Sequence, residues 1–247
     1  MGSLKMKKEI NLIGKEVINL QIKALKKLRG SLDHTFDLAV KTILKCKSKV
    51  VVCGVGKSGI IASKISATLS SVGTPSFSVS ASDCSHGDLG RITNKDVLIL
   101  ISYSGNTLEL KNIIKYAKSF RIPLIGIVSN KDSTLYRSSN IKILTPEVIE
   151  SGDGIVPTSS TTTQLAIGDA LSVALMKQKN FGKFDFKKFH PSGSLGNKLK
   201  TAKDLMLTKK RIPFVYENEI MKKALKILNI KKLGFLVVTN NQGLISG

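Results

Sequence analysis

The stretch LILISYSGNTLE, from Leu98 to Glu109, passes from four apolar residues into a cluster of hydroxyl side chains, a glycine and a carboxylate. Four consecutive apolar β-formers followed by a turn are typical of a strand that is buried on both faces, as in a parallel sheet. Asn106 or Thr107 is then predicted to cap a helix that starts near Leu108. The turn therefore lies where a strand's carboxyl end meets a helix's amino end, the edge at which open α/β sheets bind their ligands.

This turn, residues 102–107 and hereafter the serine loop, is predicted to bind an anion through Ser102, Ser104 and Thr107. Free backbone N–H groups and the positive end of a helix dipole converge at such a turn. Gly105 allows the backbone to approach the ligand closely. An ordinary hydroxyl-capped helix start is the alternative, but two further loops of the same character favour a binding site.

Strands and helices alternate along the first two thirds of the chain. The predicted strands cover residues 49–53, 76–79, 98–101, 123–128 and 141–144. Apolar residues at helical spacing lie between them. This alternation predicts an α/β fold, a doubly wound five-stranded parallel sheet flanked by helices.

Two amphipathic helices are predicted ahead of the first strand. One covers residues 8–29, and the other follows a cap at Ser31 and runs from Phe36 to Leu44. His34 near its start is interpreted as a surface or capping residue. The apolar stripes of both helices must cover the sheet or a neighbouring subunit.

Composition limits the function classes. The chain of 247 residues is 42% apolar and 23% charged, as globular proteins are. It has no apolar run near the ~18 residues that span a membrane, and its lysine-rich start lacks the apolar region of a signal peptide. Cys46, Cys53 and Cys84 are odd in number and form no CxxC pair. These features predict a cytoplasmic protein with reduced thiols and no membrane partner.

The net charge of +22 raises the question of nucleic-acid binding. Almost all of the 39 basic residues are lysines scattered over predicted helix faces, whereas base and phosphate recognition favours arginine. Tryptophan is absent and aromatic residues make up only 5%, so platforms for base stacking are scarce. No nucleic-acid partner is predicted.

A glycine loop, GVGKSG at residues 54–59, follows the first strand and matches the dinucleotide pattern G-x-G-x-x-G. A dinucleotide site also requires an acidic residue at the end of the second strand, but Ser80 stands there and the first acid is Asp83. The loop is therefore interpreted as binding a single phosphate or hydroxyl, with Lys57 facing the ligand crevice rather than solvent.

His86 lies in the turn SDCSHGDLG at residues 82–90. With Cys84, Asp83 and Asp88 it could suggest a metal site, but the spacing fits no standard zinc set. A catalytic or substrate-orienting histidine is favoured, and a histidine that only stabilises the turn remains the alternative.

A third polar cluster, PTSSTTT at residues 157–163, is predicted to open a long helix with Pro157 at its start. Its hydroxyls and free N–H groups would form another anion cradle. The remaining histidine, His190, follows in the loop FHPSGSLG at residues 189–196.

Six motifs in this order resemble the arabinose-5-phosphate isomerases of the sugar-isomerase (SIS) domain superfamily: GVGKSG, HGDLG, SYSGNTLEL, VPTSSTT, GDALSVAL and FHPSGSLG. The resemblance covers roughly residues 5–200. It implies the SIS fold and the interconversion of D-ribulose 5-phosphate and D-arabinose 5-phosphate, which supplies the Kdo sugar of lipopolysaccharide. It also implies a homotetramer and a reaction that needs no metal or organic cofactor.

The resemblance also implies site residues. The catalytic set is Lys57, His86, Glu109, Glu150 and His190, with the base left open. The phosphate set is Ser58, Ser102, Ser104, Asn106, Thr107, Thr158, Ser159 and Ser160. The family usually shows Glu-Ala-Cys-Pro before its PTSS motif, but this chain reads ESGD at residues 150–153 with one residue fewer. The assignment of Glu150 could therefore slip to Glu147 or Asp153.

The last part of the chain resembles the first half of a CBS module. AKDLM at residues 202–206 precedes a predicted strand at Phe214, a helix over 220–228 and a strand over 235–238 that turns at Asn240. The expected organisation is a SIS domain over residues 1–200 and a partial, truncated CBS module over 201–247. A non-catalytic SIS sensor of sugar phosphates, or a SIS isomerase of another sugar phosphate, is the alternative function.

Overall fold

Five parallel strands form one sheet in the order β2-β1-β3-β4-β5. They are β1 Val50–Gly54, β2 Ser76–Ser80, β3 Val97–Ile101, β4 Leu124–Val128 and β5 Ile141–Leu144. Every residue of β1, β3 and β4 is buried. The predicted doubly wound, five-stranded parallel sheet is confirmed, with strand ends that differ from the prediction by one residue at most.

The computed structural model describes residues 2–190, 201–208 and 211–247. The chain divides into two compact units, Met1–Pro191 and Ser192–Gly247. The five-stranded sheet belongs to the first unit.

The register of the sheet brings the strand ends of interest to one edge. Gly54, the last residue of β1, pairs with Ser80 of β2 on one side and with Ile101 of β3 on the other. The chain leaves β1 towards β2 on one side and returns as β3 on the other. Such a reversal of strand order opens a crevice between the loops at the carboxyl ends.

Helices cover both faces of this sheet. Those in the described part of the first unit are α1 Gly2–Ser31, α2 His34–Leu44, α3 Lys57–Ser71, α4 Ala81–Cys84, α5 Leu110–Ser119, α6 Thr134–Ser138, α7 Ser159–Gln178 and α8 Lys183–Phe189. Successive strand residues face opposite sides. Val50 and Val52 pack in the cluster that α1, α2, α3 and α7 cover, and Val51 and Cys53 pack in the cluster that α4, α5 and α6 cover.

The predicted cap at Ser31 is wrong. Ser31 is the last residue of α1, and its hydroxyl donates to the Leu28 carbonyl at 3.0 Å. Asp33 caps α2 instead, because its carboxylate accepts the Thr35 N–H at 2.8 Å. An aspartate adjacent to the first helical residue is better placed to accept these N–H groups than a serine still inside the previous helix.

Helix α1 covers the sheet with only part of its apolar stripe. Ala24 and Leu28 are buried, whereas Ile10 and Ile13, on the same stripe, are 64% and 57% exposed. This half of the stripe has no partner among the described residues of the chain.

The second unit contains α9 Ala202–Leu205, β6 Phe214–Tyr216, α10 Met221–Lys231 and β7 Val237–Thr239. Strands β6 and β7 are parallel, and the chain then turns so that Ile245 forms an antiparallel bridge with Thr239. This is the predicted β-α-β pattern with its final turn. None of the helices in the described ranges is long and apolar enough to cross a membrane.

Candidate active site

A crevice of about 570 Å³ opens at the carboxyl edge of the sheet, around the end of β1. The glycine loop forms one wall, and the end of β2 with the start of α4 forms another. Its lining residues are Gly54, Val55, Gly56, Gly59, Ile60, Ser63, Ser78, Val79, Ser80, Ala81, Ser82 and Glu109. Of the predicted catalytic residues, Glu109 alone lines it, so the structure places a carboxylate where the fold expects a ligand.

A larger hollow of about 870 Å³ lies at the other edge of the sheet, beside the start of β4. Its charged lining is Lys118, Arg121 and Arg137, and no predicted site residue faces it. Lys118 and Arg137 lie in the last turns of α5 and α6, where a positive charge complements the helix dipole. Because α/β sheets bind ligands at the carboxyl edge, the smaller crevice is the candidate site.

The glycine loop holds its shape by close backbone packing. A Cβ atom on Gly54 would lie 2.6 Å from the Ser58 carbonyl oxygen, and Gly56 has φ +58°. Lys57 is the first residue of α3, and its exposed side chain bonds to no described residue. The Ser58 hydroxyl donates to Oε1 of Gln164 at 3.1 Å, so this predicted phosphate ligand is tied to α7.

The serine loop forms a compact set of hydrogen bonds. The Ser102 hydroxyl accepts the Gly105 N–H at 3.0 Å and lies 2.8 Å from Oγ1 of Thr107. The Ser104 hydroxyl accepts the Asn106 N–H at 3.3 Å. The N–H groups of Ser104, Thr107 and Leu108 bond to no acceptor within the described ranges. They remain available donors next to a helix amino end, as an anion site requires.

The serine loop is anchored on α6. Gly105 has φ +70°, and a Cβ atom there would lie 2.5 Å from Cβ of Ser133. Oδ1 of Asn106 accepts the Thr134 N–H at 2.9 Å. The prediction that Asn106 or Thr107 caps α5 is therefore wrong: Asn106 serves α6, and Glu109 occupies the N-cap position of α5 without a side-chain cap.

Glu109 is free to act on a ligand. It is exposed, and its carboxylate forms no hydrogen bond or ion pair with any residue that the structure describes. The crevice also presents serines that the sequence analysis missed: Ser78 and Ser80 alternate along β2, and the Ser78 hydroxyl lies 3.1 Å from that of Ser63. The sequence contains a signal for them, because two serines spaced two residues apart at the end of a strand lie on the same face of the sheet.

Glu150 lies in the loop over residues 146–157, hereafter the acidic loop, and its carboxylate covers the amino end of α7. It accepts the N–H groups of Thr158 at 2.8 Å, Ser159 at 2.7 Å and Ser160 at 3.2 Å. Partial burial raises the pKa of this carboxyl, but the hydrogen bonds from Ser160, Thr158 and Ser159 outweigh burial and leave the pKa below its ordinary value. The charged form is therefore the stable one.

The alternative acids of this loop are placed differently. Glu147 is exposed, and only its backbone carbonyl is engaged, by Lys27. Asp153 has φ +56° and lies between Gly152 and Gly154 at an exposed loop tip. Within the described residues, neither carboxylate bonds to a neighbour.

The two predicted catalytic histidines do not line the crevice. His86 is exposed in the turn after α4, and its ring has no partner in the described chain. The His190 ring stacks on Phe186 with 3.7 Å between centroids, and its Nδ1 lies 3.0 Å from the Phe186 carbonyl oxygen. Because a carbonyl only accepts, Nδ1 carries a proton, and the neutral form of this ring has its free lone pair on Nε2. The rest of the predicted motif, residues 191–196, lies outside the described residues.

Burial disfavours the thiolate form of two of the cysteines, Cys53 and Cys84, because it raises the pKa of both thiols. All three are free. Burial, and then the neighbouring Cys84, raise the pKa of Cys53 to about 12. Among the described residues, no three His, Cys, Asp or Glu side chains come together as ligands for a metal ion.

Comparisons with known proteins agree with this architecture. The SIS domain family matches residues 43–174. The arabinose 5-phosphate isomerase KdsD of Shigella flexneri is 40% identical over 236 residues, which are 95% of this chain and 72% of that protein. KdsD of Francisella tularensis is 40% identical over 235 residues, 93% of this chain and 72% of that protein.

A solved structure, c3406 of E. coli CFT073 in complex with arabinose 5-phosphate, superposes with a TM-score of 0.72 at 38% identity. The match covers 75% of this chain and 98% of that one. The crevice, the serine loop and these matches together show that the chain belongs to the SIS domain family, among the arabinose 5-phosphate isomerases.

Proposed function

We propose that this protein is an arabinose-5-phosphate isomerase, which interconverts D-ribulose 5-phosphate and D-arabinose 5-phosphate. The chain spans 72% of the length of the KdsD relatives that it matches at 40% identity, and a structural relative is solved with arabinose 5-phosphate bound. One observation of this chain carries the proposal. The Glu109 carboxylate, which has no partner among the described residues, lies two residues after a loop in which the N–H groups of Ser104 and Thr107 have no acceptor there either. The loop would bind the phosphate and Glu109 would act as the base, both at the carboxyl edge of the sheet.

The serine loop binds the phosphate in this proposal. Ser104, Thr107 and Leu108 offer their N–H groups, and the Ser104 hydroxyl is exposed beside them. Hydrogen bonds to a charged group are each worth about 1.5–3 kcal/mol. The loop therefore holds one end of the substrate while the sugar extends along the crevice towards the glycine loop.

Glu109 is the proposed base. It removes a proton from C1 of ribulose 5-phosphate, and the electron pair forms the C1–C2 double bond while the C2 carbonyl oxygen becomes the enediolate oxygen. A proton shuttle gives a proton to that oxygen and takes one from the C1 hydroxyl. Protonated Glu109 then returns its proton to C2, the C1–C2 double bond is lost as the C1 carbonyl forms, and the product is the aldehyde of arabinose 5-phosphate. A positioned base contributes about 10²–10⁴ in rate.

Lys57 and the histidines are proposed for the remaining steps. Lys57 lies at the amino end of α3, where its cation stabilises the enediolate oxygen. The free Nε2 of His190 suits a shuttle that moves a proton between the two oxygens. His86 is the alternative shuttle.

A homotetramer is proposed because half of the α1 stripe is uncovered. The exposed Ile10 and Ile13 continue the stripe of the buried Ala24 and Leu28, and a second subunit would cover them. His190 would then reach a neighbouring subunit's crevice. Light scattering of the wild-type protein should give a tetramer, and a fully active monomer would contradict this assembly.

The finer assignments are proposals as well. The product would supply Kdo and lipopolysaccharide synthesis, and the reaction would take place in the cytoplasm. The second unit would be the first motif of a CBS module, which the parallel β6 and β7 joined by α10 support.

Isotope exchange tests the reaction directly. The protein is incubated with ribulose 5-phosphate and excess chelator in deuterated water, and NMR follows C1 and C2. Deuterium at these carbons together with arabinose 5-phosphate supports the isomerase. If no pentose or hexose phosphate takes up deuterium while one is bound tightly, the protein is a sugar-phosphate sensor and the proposal is wrong.

A further inference from the structure

The amino end of α7 is already occupied by a side chain of the protein itself. Three consecutive N–H groups, from Thr158, Ser159 and Ser160, donate to the Glu150 carboxylate. These are donors that a helix leaves unpaired at its start. The Thr158 side chain, at the N-cap position, makes no capping bond of its own. Glu150 therefore performs the capping function from eight to ten residues away.

Glu150 also connects α7 to the serine loop. The Val148 N–H, two residues before Glu150, donates to the Tyr103 hydroxyl at 3.0 Å. The Tyr103 carbonyl in turn accepts the Ser129 hydroxyl at 2.8 Å. The Ser151 hydroxyl accepts that of Thr158 at 3.0 Å, which closes the acidic loop onto α7. A fixed Glu150 therefore also holds Val148 in place, and Val148 is bonded to Tyr103 of the serine loop.

A carboxylate in this position is poorly suited to catalysis. The oxygen that accepts the Thr158 and Ser159 N–H groups also lies 3.3 Å from Oγ1 of Thr158. Hydrogen bonds to the charged form stabilise the anion and so make it a weaker base. A second anion at the same helix end would also meet like charge at short range. Glu109 has no such bonds within the described residues.

We propose that Glu150 is a positioning residue: its carboxylate fixes the amino end of α7 and, through Val148 and Tyr103, the serine loop. It does not remove the substrate proton. Because it fills the amino end of α7, the substrate phosphate binds at the serine loop alone. This inference rests on the proposed isomerase activity.

Two substitutions distinguish positioning from catalysis. Glu150→Gln keeps an amide oxygen where one carboxylate oxygen accepts the N–H groups of Thr158 and Ser159, but it cannot act as a base. Glu150→Ala removes both properties. If Glu150 is a positioning residue, the kcat of Glu150→Gln should stay within about tenfold of the wild-type value, which corresponds to roughly one hydrogen bond. The kcat of Glu150→Ala should be at least tenfold lower than that of Glu150→Gln. A catalytic base predicts the same loss of about 10²–10⁴ for both.

The matched control is Asp37→Asn, which removes the charge of an exposed carboxylate on α2. No residue that the structure describes bonds to that carboxylate. It should leave kcat and KM unchanged. The melting temperature reports on the helix cap. Glu150→Ala should lower the melting temperature by about 2–4 °C, and Glu150→Gln should lower it by less.

The outcomes separate the inference from the proposed function. A Glu150→Gln protein whose kcat and KM are closer to the wild-type values than those of Glu150→Ala supports a positioning role. A folded Glu150→Gln protein that loses as much kcat as Glu150→Ala overturns it, and so does an unchanged melting temperature in Glu150→Ala. If Ala does not fold, the Gln variant alone decides through its kcat. An inactive wild-type protein would overturn the proposed function instead, and the cap would still be judged by the melting temperatures.

Discussion

The amino ends of α5 and α7 both follow loops rich in serine and threonine, but the protein fills only one of them. At α7 the Glu150 carboxylate accepts three N–H groups. In the turn that leads into α5, the N–H groups of Thr107 and Leu108 have no acceptor in the described chain. The side chain of Glu109, at the N-cap position, forms no bond to the helix. Equivalent compositions thus produce a closed helix end and an open one.

The difference shows that hydroxyl content does not identify an anion site. Any helix start offers N–H donors and a positive dipole end, so the deciding feature is whether the protein has its own anion there. Glu150 reaches α7 because the acidic loop folds back through the Ser151–Val156 bridge. Glu109 lies at the N-cap position itself and lines the crevice. The Glu150 carboxylate is bonded to the start of α7, whereas the Glu109 carboxylate has no partner in the described residues.

The largest expected effect separates the two carboxylates. Glu109→Gln keeps the shape of the side chain and removes its basicity, so kcat should fall by about 10²–10⁴ while KM changes little. Steady-state kinetics measures both constants, and circular dichroism checks the fold. A Glu109→Gln protein as active as Glu150→Gln would erase the distinction between the two carboxylates.

A smaller effect is expected in substrate binding at the open helix end. Ser104→Ala removes an exposed hydroxyl of the serine loop, and the lost bond to phosphate should raise KM about ten- to a hundredfold. Ser119→Ala, at the other end of α5, is the matched control because it removes an exposed hydroxyl that has no partner in the described residues. An unchanged KM in a folded Ser104→Ala protein would remove the phosphate from this loop.

The sequence was sufficient for the sheet because its signals are local. Leu98 to Ile101 form an apolar run in which every residue is buried on one face or the other, and such a run is recognisable without its neighbours. Gly105 was predicted in order to let the backbone approach a ligand, whereas in the structure it has φ +70° and Ser133, 28 residues away, leaves no room for a Cβ atom. The serine loop was predicted from its position between strand and helix, and the role of Glu109 came from the family resemblance.

Most of the contacts that the local pattern does not predict join residues that are far apart along the chain. Asn106 was predicted to cap α5, but its partner is Thr134, 28 residues away. Glu150 was given a catalytic role by resemblance, and its contacts with α7 depend on a turn that includes Asp153 at φ +56°. Gln164 was missed because a polar residue inside α7 shows its purpose only once Ser58 of α3 is beside it. Local propensity contains no information on such pairs.

The smallest effect is expected from a substitution of Ser159 at the amino end of α7, which tests whether Glu150 closes that end to a phosphate. The Ser159 hydroxyl is fully buried and is the one buried side-chain oxygen or nitrogen of the described residues that has no hydrogen-bond partner. An unpaired buried polar group costs about 1–3 kcal/mol, and replacing it with an apolar group recovers part of that cost.

Ser159→Ala should therefore leave the free energy of unfolding unchanged or raise it by up to about 1 kcal/mol, which denaturant titration measures. Its KM should equal that of the wild-type protein, because Glu150 already holds the N–H groups that a phosphate would need. If KM instead rises as far as in Ser104→Ala, the hydroxyl is a phosphate ligand. The amino end of α7 would then be open to substrate, and the two helix ends would act together on the phosphate.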